Sequence, residues 1–300
     1  MAHTAAMLSK IRDGSGFIAA LDQSGGSTPG ALKAFGYQGD EWSSDEEMFD
    51  LIHAMRVRIM SSPAFNGDKI LGAILFERTM DGEAGGKPVP DYLWSRGVVP
   101  FLKIDKGLED ERDGVRLMKP NPGLDSLLER AVAKGIFGTK MRSVIDRANR
   151  TGIADVVLQQ FDVADQISRH GLMPIVEPEV SIKSADRAQS DEILLDELTK
   201  ALDGLEDGQQ VMLKLSLPAK PGLFAPLIRH PRVLRLVALS GGFSRDEACR
   251  ELAKNEGMVA SFSRALAEGL RQDMSDEEFN RTLSQSIDAI YEASTEKVAA

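Results

Sequence analysis

Short apolar runs recur along the chain, and longer amphipathic stretches separate them. The run Phe-Ile-Ala-Ala-Leu occupies 17–21, and Leu-Arg-Leu-Val-Ala-Leu occupies 234–239. Nearly continuous apolar runs of this length are typical of parallel strands that helices cover from outside. The pattern predicts eight β-strands, over residues 16–23, 69–76, 98–105, 135–145, 172–180, 210–217, 234–240 and 258–263.

The stretches between the strands carry helix signals. Three of them contain a serine followed three residues later by a glutamate, the capping-box pattern that satisfies free N–H groups at a helix start. These pairs are Ser44 with Glu47, Ser244 with Glu247 and Ser275 with Glu278. Apolar residues recur at helical spacing in the stripe Met48, Leu51, Ile52, Met55 and Ile59, which is expected to face the core.

Eight strands that alternate with helices predict an α/β fold of the TIM (β/α)8 barrel type. The length of 300 residues suits one barrel, which typically needs about 250 residues. Residues 81–90 and 119–123 are rich in turn formers and are interpreted as loops at the barrel mouth or rim. No linker or repeat divides the chain, so a single domain over residues 1–300 is expected.

The net charge of the chain indicates which kinds of molecule it is expected to bind. The chain has 36 Lys and Arg against 46 Asp and Glu, a formal net charge of -10. Such a surface repels nucleic acid and anionic membranes, so neither is expected as a partner, and an anionic substrate needs a local basic pocket. The first ten residues lack a secretory apolar segment, and no window resembles a membrane span, which predicts a cytoplasmic protein.

Metal and disulfide chemistry find little support in the sequence. The one cysteine, Cys249, has no partner in the chain and is expected to pack in the core. The histidines are scattered without ligand-like spacing, at His3, His53, His170 and His230. Neither a metal site nor a cofactor is expected.

Polar residues gather at the ends of the predicted strands. In a TIM barrel the carboxyl ends of the strands and the loops that follow them form the active site, so these residues should converge. Six cations and four acids in one mouth shift each other's pKa values, as acid, base and nucleophile roles require. They are Lys103, Lys106, Lys140, Arg142, Lys214 and Arg264, with Asp22, Asp105, Glu177 and Glu179.

A lysine in this mouth is a candidate nucleophile. Lys214 lies in the apolar run Val-Met-Leu-Lys-Leu, where its charged form is disfavoured and a nucleophilic amine is favoured. Lys103 and Lys140 also follow apolar strands. The local sequence therefore leaves all three lysines open as the residue that forms a Schiff base.

Two carboxylates stand two residues apart in Glu177-Pro178-Glu179. On a strand such residues point the same way, so one carboxyl can hold a proton while the other stays ionised. A plain turn around Pro178 is the alternative interpretation.

A glycine pair follows the seventh predicted strand, in Ser240-Gly241-Gly242, and leads into a helix near Ser244. Backbone N–H groups and a helix start in this arrangement can bind phosphate. Glycine pairs are common in turns, but the loops after the seventh and eighth strands often form the phosphate site of a TIM barrel. Arg264 follows the eighth strand, which supports a phosphate site here.

Taken in order, several fragments resemble class I fructose-bisphosphate aldolases, particularly the shorter bacterial branch, over almost the whole chain. They are residues 19–24, 74–77, 103–107, 140–142, 174–179, 213–214, 239–242 and 261–264. The resemblance implies a metal-free lyase, EC 4.1.2.13. Such an enzyme cleaves fructose 1,6-bisphosphate reversibly into dihydroxyacetone phosphate and glyceraldehyde 3-phosphate, through a lysine Schiff base, in glycolysis and gluconeogenesis.

The resemblance also implies roles for individual residues. Lys214 is the Schiff-base lysine, and Glu177 is the main proton shuttle. Lys140 and Glu179 tune and orient that carboxylate, and Asp22 is the acid near the amine and the C4 hydroxyl. One phosphate is held by Ser240, Gly241, Gly242 and Arg264, and the other by Ser24, Ser27, Lys103 and Arg142.

Three positions depart from the vertebrate-like pattern of that family. Leu215-Ser216 stands where that branch has proline and asparagine, and Ser263 stands where it has glycine. Nine residues follow Tyr291, so the long tail that ends in a catalytic tyrosine is expected to be absent. Protonation of the enamine is therefore left without an assigned residue.

Two other functions are compatible with the sequence. One is another Schiff-base barrel, similar to transaldolase or deoxyribose-phosphate aldolase, but two separate phosphate sets favour a bisphosphate. The other is a non-catalytic barrel scaffold, against which the set Asp22, Lys140, Glu177 and Lys214 argues. A homo-oligomer is also compatible, although no helix face carries a decisive patch.

Overall fold

The computed structural model describes residues 2–298, apart from the side chains of residues 2 and 3. Its eight main strands lie side by side in chain order and pair in parallel. They are β1 (Phe17–Leu21), β2 (Ile70–Leu75), β3 (Val99–Lys103), β4 (Gly138–Ile145), β5 (Met173–Val180), β6 (Val211–Ser216), β7 (Val233–Leu239) and β8 (Val259–Ala260). The Ala20 N–H donates to the Phe262 carbonyl at 3.0 Å, which links β1 to the segment after β8. The strands form a nearly closed TIM barrel, and the predicted fold class is confirmed.

Helices lie between and around the strands. They are α1 (Ala2–Asp13), α2 (Thr28–Ala34), α3 (Asp45–Ser61), α4 (Glu77–Asp81), α5 (Val89–Ser95), α6 (Leu124–Ala133), α7 (Arg150–Arg169), α8 (Arg187–Asp203), α9 (Ala225–Ile228), α10 (Arg245–Ala253), α11 (Arg264–Ala267) and α12 (Asp276–Thr295). Within residues 2–298, no helix is both long enough and apolar enough to cross a membrane.

Every predicted strand is present, with ends within three residues of the prediction. The eighth strand is shorter than predicted, because Ser263 leaves the extended conformation to begin α11. The fourth begins at Gly138 rather than at 135, because Gly135 has a φ of +75° that ends the turn after α6. Both differences arise where a strand meets a helix, which an apolar run does not mark.

The two predicted loops differ in the structure. Residues 119–123 carry no helix or strand, as predicted. The segment 81–90 instead contains a small antiparallel hairpin, Glu83–Ala84 with Lys87–Pro88. A further short strand, Val115–Arg116, pairs antiparallel with the end of β4.

The predicted helix caps are present, with one change. In α10 and α12 the serine and glutamate form the complete capping box. In α3 the Ser44 side chain accepts the Glu47 N–H, but the Glu47 carboxylate binds the N–H and hydroxyl of Ser43. The Ser44 cap is therefore present, but the Glu47 carboxylate binds Ser43, one residue before its predicted partner.

Successive side chains along each strand point to opposite faces of the sheet, so the core has two layers. In β1, Phe17, Ala19 and Leu21 face the helices, whereas Ile18 and Ala20 face the barrel interior. The interior cluster is continued by Leu71, Ile74, Val99, Phe101, Phe137, Ile175, Met212, Leu234, Val237 and Val259. Apolar side chains therefore fill the barrel below the carboxyl ends of its strands.

Helix α1, which the apolar pattern did not predict, closes the opposite end of the barrel. Its Met7 and Ile11 belong to the interior cluster. Arg235 of β7 donates to the carbonyls of Arg12 and Gly14, at 2.8 and 3.1 Å, where α1 ends. These bonds satisfy carbonyls that a helix end leaves free and hold α1 against the barrel.

We expect Ile11→Ala to lower the free energy of unfolding by about 2–5 kcal/mol, because a fully buried side chain is removed and a cavity remains. Urea unfolding measures the change. Leu8→Ala is the control on the same helix, because Leu8 is only partly buried. A loss for Ile11→Ala no larger than that for Leu8→Ala would show that α1 does not fill the barrel end.

Candidate active site

A cavity of about 1060 Å³ opens at the carboxyl ends of the barrel strands. Twelve of the thirteen predicted site residues line it: Asp22, Ser24, Ser27, Lys103, Lys140, Arg142, Glu177, Glu179, Lys214, Ser240, Gly241 and Arg264. The thirteenth, Gly242, lies in the turn beside Arg264. Residues that are up to 242 positions apart in the sequence thus meet in one mouth, as the barrel geometry requires.

A row of alternating charges forms the floor of this cavity. Lys140 Nζ lies 2.8 Å from Asp22 Oδ2 and 2.7 Å from Glu177 Oε2. Lys214 Nζ lies 3.0 Å from Glu177 Oε1. All four side chains are at least nine-tenths buried. Buried charges need such partners, because removal from water otherwise favours their neutral forms.

The strands place these side chains by register and alternation. Lys140 of β4 lies opposite Lys103 of β3, and Arg142 lies opposite Glu177 of β5. The ladder between β5 and β6 ends at the pair Val176 and Leu213. Glu177 and Lys214 come directly after this last pair, and their side chains meet there.

Lys140 is held in its charged form. Burial by itself disfavours the ammonium, but the carboxylates of Asp22 and Glu177 outweigh that effect and raise the pKa of Lys140 above its ordinary value. Burial likewise acts to raise the pKa of Asp22, but Lys140 and Lys214 outweigh it and bring that pKa well below the usual range. At neutral pH the pair is a fixed ammonium and a fixed carboxylate.

Glu177 and Glu179 both line the cavity from β5, which rules out the plain turn as the structure of this segment. Burial raises the pKa of Glu179, although Arg142 opposes the shift with its Nη1 3.3 Å from Glu179 Oε2. Burial thus favours the protonated form of Glu179. Pro178 between them lies within the strand.

The turn after β7 has the form of an anion cradle. Gly241 and Gly242 have φ values of +61° and +115°. A Cβ on Gly241 would lie 2.8 Å from Ile182 Cγ2, and one on Gly242 would lie 3.6 Å from Arg264 Nη2. The φ values at both positions favour glycine, and at Gly241 a Cβ would also crowd Ile182, so the turn exposes backbone beside a guanidinium.

The other predicted phosphate set is partly assembled. Lys103 Nζ donates to Ser24 Oγ at 2.7 Å and lies 3.1 Å from Asp105 Oδ1. Ser27 Oγ donates to the Ser24 carbonyl at 2.9 Å. Arg142 instead points to Glu179. Three members form one group in the mouth, and the fourth is paired with a catalytic candidate.

Sequence reasoning missed Arg56, a fully buried cation on α3. Its guanidinium donates to the Gln23 carbonyl and, at 2.7 Å, to Thr79 Oγ1. Burial lowers its pKa to about 10. Arg56 fixes the backbone directly after Asp22, and the signal for it was a charged residue within the apolar stripe of α3.

A second missed contact joins the two ends of the barrel wall. Gln23 Nε2 donates to Ser263 Oγ at 2.7 Å. Gln23 follows β1, and Ser263 precedes Arg264 at the start of α11. The bond extends the Ala20–Phe262 link upward and ties the loop of Asp22 to the loop of Arg264. The hydroxyl that makes it belongs to one of the residues that depart from the vertebrate-like pattern.

Metal-ligand side chains do not gather in this cavity or elsewhere in the described part of the chain. Among the side chains described there, no group of three or more His, Cys, Asp or Glu residues is arranged to hold a metal ion. The side chain of His3 lies outside them. Burial raises the pKa of the partly buried Cys249 thiol to about 11, which disfavours its reactive thiolate.

Comparison with known proteins agrees with this geometry. A family model described as class-I fructose-bisphosphate aldolase matches residues 4–218. The solved fructose-bisphosphate aldolase of Plasmodium falciparum, in complex with TRAP and a small-molecule inhibitor, is similar with a TM-score of 0.79 at 22% identity, over 99% of this chain and 96% of that chain. A protein of Corynebacterium glutamicum has a TM-score of 0.55 at 13% identity, over 97% and 92%.

At these identities the two solved structures show a shared fold and no more. The family match is the stronger finding, since it covers well over half of the 300 residues. It also includes Asp22, Lys140, Glu177 and Lys214, the four residues of the charged row. The chain therefore belongs to the class-I fructose-bisphosphate aldolase family.

Proposed function

We propose that the protein is a metal-free fructose-bisphosphate aldolase, EC 4.1.2.13, that works through a Schiff base on Lys214. It cleaves fructose 1,6-bisphosphate reversibly into dihydroxyacetone phosphate and glyceraldehyde 3-phosphate, as a single-domain cytoplasmic enzyme of glycolysis and gluconeogenesis. The observation that carries the proposal is the 3.0 Å contact between Lys214 Nζ and a Glu177 carboxylate that Lys140 holds from its other side.

The contacts of the three candidate lysines favour Lys214 as the nucleophile. Lys140 lies between two carboxylates that keep it charged. Lys103 is bound to Asp105 and Ser24. Among the described residues, Lys214 has a single close carboxylate, and that carboxylate can remove the ammonium proton and return it.

Formation of the Schiff base uses this pair. The Glu177 carboxylate takes a proton from Lys214, and the neutral amine adds to the C2 carbonyl carbon of the sugar. The attacking nitrogen loses a proton and the carbonyl oxygen gains one, which gives a neutral carbinolamine while Glu177 remains protonated. Glu177 then donates a proton as that hydroxyl leaves as water, and the iminium remains.

Cleavage reverses the direction of proton transfer. The C4 hydroxyl gives its proton to Glu177, and the C3–C4 bonding pair moves into the iminium to form an enamine. Glu177 Oε2 lies 2.7 Å from Lys140 Nζ, so the ammonium stays beside the carboxylate that receives this proton. Asp22, ionised beside Lys140, lies at the same end of the row and orients the hydroxyl. The aldehyde product then leaves.

Two anion-binding groups suit a substrate with two phosphates. The turn Ser240-Gly241-Gly242 with Arg264 supports a site for the phosphate next to the ketone. The group of Ser24, Ser27 and Lys103 supports a site for the phosphate at the other end, with Arg142 nearby. A Schiff-base enzyme for singly phosphorylated sugars needs only one of these groups, and a scaffold needs no row of paired charges.

We expect Lys214→Ala to abolish both cleavage and borohydride trapping of substrate, because only this amine becomes covalently bonded. Lys140→Ala should still trap substrate on Lys214 while kcat falls by about 10² to 10⁴, the usual loss for a proton-transfer or electrostatic partner. Peptide mass spectrometry after borohydride treatment locates the adduct. An adduct on Lys140 or Lys103, with Lys214→Ala still active, would refute the mechanism.

Arg264→Ala should raise KM for fructose 1,6-bisphosphate by about 10- to 150-fold, because a charge-assisted hydrogen bond contributes about 1.5–3 kcal/mol. Steady-state kinetics measure the change. Arg281→Ala on the exposed face of α12 is the control and should behave as the wild type. Unchanged kinetics in Arg264→Ala would contradict the phosphate assignment.

Cleavage of fructose 1,6-bisphosphate should survive EDTA, because the iminium on Lys214 takes the electrons that a metal-bound carbonyl would otherwise take. Initial rates are compared after dialysis against EDTA, with and without added Zn²⁺. A loss of activity on chelation that zinc restores would overturn the proposed lysine route.

A further inference from the structure

Two adjacent glutamines on α7, Gln159 and Gln160, make hydrogen bonds to different segments of the chain. Gln160 is fully buried between α7 and the strands. Its Oε1 accepts the backbone N–H of Glu177 at 2.8 Å, and its Nε2 donates to Ser143 Oγ at 3.0 Å. The side chain therefore connects β5, which carries Glu177, to β4, which carries Lys140.

The backbone at Glu177 lies where the hydrogen-bonded ladder between β5 and β6 ends. On the β6 side the ladder stops at Val176 and Leu213, one residue before Glu177. The next residue, Pro178, has no N–H to offer. Higher up, the Ser216 hydroxyl donates to the Val180 carbonyl at 2.7 Å. The ladder to β4 continues past Glu177, so it is only on the β6 side that side chains complete the backbone bonding beside the Schiff-base candidate.

Gln160 suits this position because its amide gives an acceptor without a charge. A buried N–H left without an acceptor is strongly disfavoured, so the Glu177 backbone would shift to find another partner. A carboxylate in place of the amide would put a negative charge behind Glu177. The bond to Ser143 also fixes which end of the amide faces Glu177.

We propose that Gln160 is a positioning residue for Glu177, and this inference rests on the proposed function. The Glu177 carboxylate serves two amines, with contacts of 2.7 Å to Lys140 and 3.0 Å to Lys214. Displacement of a reacting group by about 1 Å costs about 10²-fold in rate. By adding a side-chain link to the ladder that joins β5 and β4, Gln160 fixes the backbone position from which the carboxylate meets both amines.

The test compares Gln160→Met with the wild type. Methionine has a similar length and no hydrogen-bond acceptor of comparable strength. We expect kcat to fall by about 10- to 100-fold, in line with a displaced reacting group. KM for fructose 1,6-bisphosphate should stay within about twofold, because the phosphate groups are bound by other loops and the loss falls on the reaction step.

Gln160→Glu is the rescue variant, since burial at this position favours the neutral carboxylic acid, whose carbonyl oxygen again accepts the Glu177 N–H without adding a charge. Its kcat should exceed that of Gln160→Met by at least about fivefold, a difference that loss of packing alone does not produce. Ser143→Ala is a milder variant that keeps the acceptor and frees the amide orientation. It should lower kcat by a few-fold at constant KM, and it provides the test if Gln160→Met does not fold.

Gln159→Met is the matched control. The Gln159 amide makes two bonds of the same kind, accepting the Met118 N–H and donating to the Met118 carbonyl, both at 2.9 Å. Its loss should lower stability by a similar amount in urea unfolding and leave kcat within about twofold. A comparison of Gln159→Met with Gln160→Met therefore separates the effect of lost stability from the effect of a displaced Glu177.

The outcomes distinguish this inference from the proposed function. A wild-type protein that neither cleaves nor traps fructose 1,6-bisphosphate overturns the proposed function. An active wild type with Gln160→Met, or with Ser143→Ala where that variant is the test, at unchanged kcat overturns the inference alone. A kcat loss in Gln159→Met as large as in Gln160→Met also overturns it. A selective, rescued loss of kcat supports both.

Discussion

The buried ammonium of Lys140, held between the carboxylates of Asp22 and Glu177, is the interaction on which the arrangement of the site depends. Without it, the buried carboxylates of Asp22 and Glu177 would lose the cation that both of them contact, which disfavours their charged forms. With it, Asp22 stays ionised and Glu177 has a fixed positive neighbour on one side. Lys214 is then the one amine of the row that meets Glu177 alone.

The barrel makes the burial of these charges possible because it separates polar side chains from apolar ones. Helix α1 closes one end with Met7 and Ile11, and apolar side chains fill the interior above it. The charged residues that line the cavity lie at the opposite end, on or shortly after β1, β3, β4, β5, β6 and β8. Paired charges at this end tolerate burial because each has a partner within about 3 Å.

The wall around the charged row is completed by side chains where strand pairing stops. Gln23 and Ser263 join the first and last loops, Gln160 accepts the N–H of Glu177, and Ser216 bridges β5 and β6. These contacts fix the positions of the strand ends around the cavity and so fix the ion pairs between their side chains. The Plasmodium aldolase shares the fold at 22% identity, so the barrel itself tolerates extensive change in sequence.

The sequence by itself determined the strands, the barrel and the set of residues in its mouth. Apolar runs mark buried parallel strands wherever they occur, and the carboxyl ends of such strands must converge once a barrel closes, so Asp22, Glu177 and Lys214 were found as candidates. It could not choose among Lys103, Lys140 and Lys214 without the family resemblance, since all three have similar local surroundings.

Only the tertiary structure decided the contacts that distinguish those lysines. Lys140 meets two carboxylates, whereas Lys214 meets one, because of the register of the strands, which no local pattern encodes. The same holds for Arg56, Gln160 and α1, whose roles depend on partners far away in the chain. Periodicity reports which face of an element is buried, but the partner of a buried polar group is fixed only when the elements pack.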